Sequence, residues 1–142
     1  MITNNEFNAI MASEKIFEDD IIKLPLASQT ANYHINSIDG RYQLLLDVDR
    51  HGSISLKKCK MQERYNAQPI IRLEIDAPPH TNPDGTTTSR NHIHIYREGF
   101  GMSWAYDLDD SIFADFNSFM KTFEDFCTYC NIKEMPKLQG VI

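Results

Sequence analysis

The sequence predicts an α+β domain: an antiparallel meander of short strands between an N-terminal helix and a long Phe-rich C-terminal helix. Three observations lead there. Apolar residues recur at helical spacing near both ends of the chain. Between them, apolar and polar residues alternate in short runs. Turn dipeptides such as Asp39-Gly40 and His51-Gly52 separate those runs.

The first helix is expected over about 3–17. Thr3 and Glu6 have the spacing of a capping box, and Phe7, Ile10, Met11 and Phe17 form one apolar stripe. Strands follow. The run at 21–26 carries Pro25 and suits a sheet edge. Tyr33 and Ile35 alternate with His34 and Asn36; Tyr42, Leu44, Leu46 and Val48 share one face of the next run. Residues 53–65 read as a strand with Ile54 and Leu56 inward, broken at Gln68-Pro69, and Ile71, Leu73 and Ile75 define its successor. Residues 77–91, with three prolines and a Pro-Asp-Gly turn, form a loop long enough to be functional or mobile. Residues 92–97 alternate again, with Ile93 and Ile95 on one face and His92, His94 and Tyr96 on the other. A last short strand is expected at 104–108. The second helix is expected over 111–130, capped by Asp109 or Asp110, before an irregular tail marked by Pro136 and Gly140.

With 142 residues, the chain fits a single domain over 1–142. Its 42% hydrophobic and 24% charged residues exclude a disordered chain, and no run reaches the roughly 20 apolar residues of a membrane helix. No secretory signal opens the sequence, and three scattered cysteines make no disulfide framework, so a cytoplasmic location is expected. A net charge of −6 argues against direct nucleic-acid binding, which draws on Lys and Arg.

The histidines are the first candidates for chemistry. On one strand, His92 and His94 point to the same side. If the strand before the 77–91 loop pairs with theirs, Glu74 or Asp76 lands beside them, and His80 folds back over the pair. His80, His92, His94 and Asp76 are the expected ligands of zinc or a related divalent ion, in a structural site. The plainer alternative is a histidine pair on a solvated sheet face. Cys127 and Cys130 have Cys-x-x-Cys spacing but close a helix, where the dipole opposes a thiolate, so core packing is expected. Lys57, Lys58, Lys60 and Arg64 are read as protection of an edge strand. No phosphate-binding glycine loop, nucleophile elbow or His-Glu-x-x-His occurs. Asp107, Asp109, Asp110 and Asp115 form an acidic patch that a basic partner would recognise.

The runs Arg72-Leu73-Glu74-Ile75-Asp76, His80-Thr81-Asn82-Pro83, His92-Ile93-His94-Ile95-Tyr96-Arg97-Glu98-Gly99-Phe100 and Trp104-Ala105 resemble an uncharacterised family of small proteins carried by prophages and other bacterial mobile elements. The similarity spans about a quarter of the chain. It implies an accessory or anti-defence factor, such as an anti-CRISPR inhibitor of a Cas9-type nuclease, and a few such inhibitors hold a structural metal. The expectation is therefore a non-enzymatic binding protein acting on a host or CRISPR effector with a basic surface. The alternatives are a metal-dependent hydrolase or nuclease using the histidine cluster, and an interaction module without metal.

Overall fold

The Thr3 hydroxyl accepts the Glu6 N–H at 3.0 Å, as the capping-box spacing predicts. In the computed structural model, which describes residues 1–51 and 57–139, this opens helix α1, Asn4–Ala12. The backbone turns extended at Ser13, and the predicted continuation to Phe17 is instead strand β1, Lys15–Phe17. Phe17 fits a period of two from Lys15 as well as the helical stripe, and strand pairing with Ile35 settles the choice.

The remaining elements are β2 (Ile21–Lys23), β3 (Thr30–Ser37), β4 (Gln43–Asp49), β5 (Cys59–Tyr65), β6 (Gln68–Ile75), β7 (His92–Ile95), β8 (Ala105–Asp107), α2 (Phe119–Tyr129) and β9 (Lys137–Gln139). The described residues form a seven-stranded sheet in the order β1-β3-β4-β5-β6-β7-β8, with every pairing antiparallel. This is the α+β meander between two helices that the patterning predicts.

Several boundaries differ. β2 stands outside the large sheet and pairs in parallel with β9, so the tail expected to be irregular carries a strand. The β5–β6 break falls at Asn66-Ala67, whose positive φ angles of 49° and 66° make the turn. Gln68 and Pro69 lie within β6, where Pro69 sits opposite Arg64 beside a register shift that tolerates its missing N–H. The predicted inward positions Ile54 and Leu56 lie outside the described residues. β5 is central rather than an edge, so its cations serve other ends: Arg64 Nε donates to Asp47 on β4 at 2.7 Å.

The second helix begins at Phe119 with Ser118 as its cap, not at residue 111. The Asp109 carboxylate accepts the Ser111 N–H and hydroxyl, and Asp115 accepts the Asn117 N–H. Such local bonds compete with helical ones, and the apolar spacing before Ser118 belongs to turns. Phe113 is still buried from its turn, alongside Phe119, Phe123, Phe126 and Cys127 of α2.

One face of the sheet carries Ile35, Leu44, Leu46, Val48, Met61, Leu73 and Ile75 into a core shared with both helices. Cys127 and Cys130 lie in it, and burial pushes both thiols up, which fits packing rather than redox work. Lys15 and Glu63 are buried there too. The Lys15 ammonium donates to the Ser13 and Cys130 carbonyls, while burial pushes the Glu63 carboxyl up to about 7. Tyr96, expected beside the histidines, is buried against Phe7 of α1, and its hydroxyl donates to the Ile2 carbonyl.

The outer edge of β8 is occupied by a side chain. Asn82 donates its amide to the Ala105 carbonyl at 2.9 Å and accepts the Ala105 N–H at 2.8 Å. On β1, Lys15 N–H donates to the Asn131 carbonyl and Lys133 N–H to the Lys15 carbonyl. Among the described residues, no helix is long and apolar enough to cross a membrane.

Candidate metal centre

The polar face of the sheet presents a row of cross-strand partners: Asn32, Asp47, Gln62, Arg72 and His94. In the adjacent row, Glu74 lies opposite His92. Alternation on β6 and β7 thus brings one carboxylate and two imidazoles to one place. A cleft of about 500 Å³ opens on the same face beside Asn32, Asp47, Lys60 and Gln62.

The donor atoms of Glu74, His92 and His94 all lie within 4.8 Å of one another. His94 Nε2 is 3.0 Å from Glu74 Oε2, and His92 Nε2 is 3.9 Å from the same oxygen. Each ring is fixed from behind. The Nδ1 atoms of His92 and His94 lie 2.9 Å from the Ser89 and Met102 carbonyls. A carbonyl only accepts, so both Nδ1 atoms carry protons that they donate, and both Nε2 atoms face Glu74. A lone pair and a carboxylate oxygen at this distance need a cation between them, either a second proton or a metal ion. Imidazoles held by backbone carbonyls are the arrangement of metal-ligating histidines.

The electrostatics agree. The hydrogen bond to His94 holds the Glu74 carboxyl at about 2, against the effect of burial and with help from Arg72, whose Nε donates to Oε2 at 3.1 Å. Burial lowers the pKa of His92 and favours the neutral ring that metals bind. His92 and His94 are only 1% and 3% exposed.

The carboxylate at this centre is Glu74 rather than the expected Asp76. β6 ends at Ile75, and Asp76 has a positive φ of 58°, which takes its side chain out of the alternation. Its N–H donates to Asn91 Oδ1, and its carboxylate accepts Arg90 at 3.3 Å. His80 lies outside the close donor group, but its ring packs edge-on against His94, with centroids 4.7 Å apart.

The 77–91 loop is tightly organised. Thr88 binds both the N–H and the carbonyl of His80, Asn82 N–H donates to the Thr86 carbonyl, and Gly85 turns at φ 89°. The four acids are all exposed: Asp107 ends β8, and Asp109, Asp110 and Asp115 lie between β8 and α2. Asp107 accepts the Ser89 N–H at 2.6 Å, so one of them braces the loop that carries His92's carbonyl partner. Sequence reasoning sets Arg72 on the same side of its strand as Glu74 without giving it a role, and passes over Asn82 and the Ser89, Met102 and Ser103 carbonyls. Arg72 is visible in the alternation of β6, two residues before Glu74; backbone carbonyls leave no mark in a sequence.

No curated protein and no solved structure matches this chain. Residues 2–132, nearly the whole molecule, match one family, and the chain belongs to it: DUF6978, a family of unknown function.

Proposed function

We propose that this is a metal-stabilised binding protein in which Glu74, His92 and His94 hold a zinc ion that fastens β6 to β7 beside the 77–91 loop. One observation carries the reading: two buried imidazoles, each fixed by a backbone carbonyl, converge on one carboxylate oxygen. Nitrogen and oxygen donors in this combination suit zinc among the common divalent ions. A structural role is supported by the burial of both rings and by the loop bonded over them.

The partner class comes from the mobile-element resemblance and from the exposed acids Asp107, Asp109, Asp110 and Asp115. It is a host effector with a basic surface, with a Cas9-type nuclease the first to test. The three buried free cysteines favour the reducing cytoplasm as the place of action.

A metal-dependent hydrolase or nuclease is the second reading. It is favoured by a set of only three ligands and by the cleft on the same sheet face. Elemental analysis of the purified protein is expected to find about one zinc per chain. Chelation is expected to lower the melting temperature, and the His92→Ala/His94→Ala variant to hold no metal. A metal-free protein indifferent to chelator overturns the metal. A pull-down from lysate containing CRISPR effectors is expected to enrich such a nuclease; no enrichment overturns the partner class.

A further inference from the structure

We propose that His80 is the fourth ligand of this centre, so that the coordinating set is three histidines and Glu74, closed by the 80–88 hairpin. The inference rests on the metal reading above and fills the coordination position which that reading leaves open.

The three rings share one bonding pattern. His80 Nε2 lies 2.7 Å from the Ser103 carbonyl, as His92 and His94 Nδ1 lie 2.9 Å from the Ser89 and Met102 carbonyls. Each imidazole therefore donates one N–H to a backbone oxygen, which leaves its other nitrogen, Nδ1 in His80 and Nε2 in the other two, as the one that would bind a metal once unprotonated. An isolated surface histidine has no need of such a partner.

Their spacing agrees. The ring centroids lie 4.7, 5.1 and 6.3 Å apart. Imidazoles bonded to one tetrahedral zinc at about 2.1 Å have centroids roughly 5 Å apart. The 6.3 Å separation between His80 and His92 is the long one, and His80 accordingly stands outside the donor group spanning 4.8 Å. Metal binding draws His80 and its hairpin toward the sheet, with Thr88 holding the His80 backbone through both its N–H and its carbonyl. Asp76 does not compete for the position, because Arg90 holds its carboxylate. With His80 in place, an imidazole occupies the site at which a hydrolytic water would bind, and the centre is structural.

The test uses the full chain, stripped with chelator and titrated with zinc alone against a chromophoric chelator. His80→Ala is expected to bind zinc at least about tenfold more weakly than wild type, whereas His34→Ala, exposed on β3 three strands away from β6, is expected to match wild type. Cobalt-loaded wild type is expected to show the absorption of a tetrahedral centre, and His80→Ala a changed spectrum. In wild type, where folding of a variant is not in question, zinc is expected to shift the His80 Nδ1 nitrogen resonance. Unchanged affinity and cobalt spectrum in His80→Ala, or an unmoved Nδ1 resonance, overturns the fourth ligand while leaving the three-ligand centre intact. Wild type that takes up no zinc overturns the metal itself, and this inference with it.

Discussion

His94 approaches Glu74 Oε2 to 3.0 Å through Nε2 while its opposite nitrogen is fixed 2.9 Å from the Met102 carbonyl. The ring cannot turn away without losing one of these bonds, so Glu74 is the residue on which the imidazoles are aimed. Glu74→Gln keeps the size and removes the charge. It is expected to weaken zinc binding at least about tenfold. Zinc at a hundred times its dissociation constant stabilises a folded protein by about 2.7 kcal/mol. That gain, read as the zinc-dependent rise in melting temperature, is expected to shrink in Glu74→Gln; a full rise in the variant overturns the role.

Glu63 sets a pH dependence of its own. Burial raises its carboxyl from 4.5 to about 7, with Lys15 pulling the other way. The folded chain therefore retains a proton that the unfolded chain releases near 4.5. The corresponding stability is complete below that pH, is lost as pH rises toward 7, and is gone above it. At 1.36 kcal/mol per unit, wild type is expected to lose about 2.5 kcal/mol between pH 5 and 8 by urea unfolding. Glu63→Gln, which cannot ionise, is expected to lack that decline; an equal decline in the variant assigns it elsewhere.

Asn82 makes two bonds to the Ala105 backbone while itself buried. Asn82→Ala leaves both groups without this partner, at a cost of about 2 kcal/mol in stability. Amide hydrogen exchange is expected to quicken at Ala105 and through the 80–88 hairpin, with protection elsewhere in the sheet unchanged. Exchange that stays slow at Ala105 counts against this anchor.

Ser118 caps α2 by accepting the Lys121 N–H at 3.1 Å. Ser118→Ala is expected to destabilise the protein by about 1 kcal/mol. The same change at Ser111, which precedes the helix, is expected to cost clearly less. Equal losses from the two variants indicate a helix that starts earlier.

The two-residue alternation of β6 and β7 made much of the centre legible before the fold was known. His92 and His94 had to share a face, and Glu74 was one of two acids that a neighbouring strand would bring to them. Choosing Glu74 over Asp76 required the backbone, because a positive φ and the bonds to Asn91 and Arg90 remove Asp76 from the alternation. The start of α2 was obscured by Phe113 and Phe116, whose helical spacing is cancelled by the bonds of Asp109 and Asp115 to their own turns. The pairing of β2 with β9 joins segments more than a hundred residues apart, beyond any local pattern.

The bonds from Asn82 to Ala105, and those from Asn131 and Lys133 to Lys15, have a consequence for recognition. They take up main-chain groups that a further strand would need at the two margins of the large sheet. A partner therefore cannot lengthen this sheet at β1 or β8 without first displacing a piece of the chain itself. Whatever the protein binds, at these margins it is met by side chains, and specificity there is written in residue identity rather than in backbone geometry.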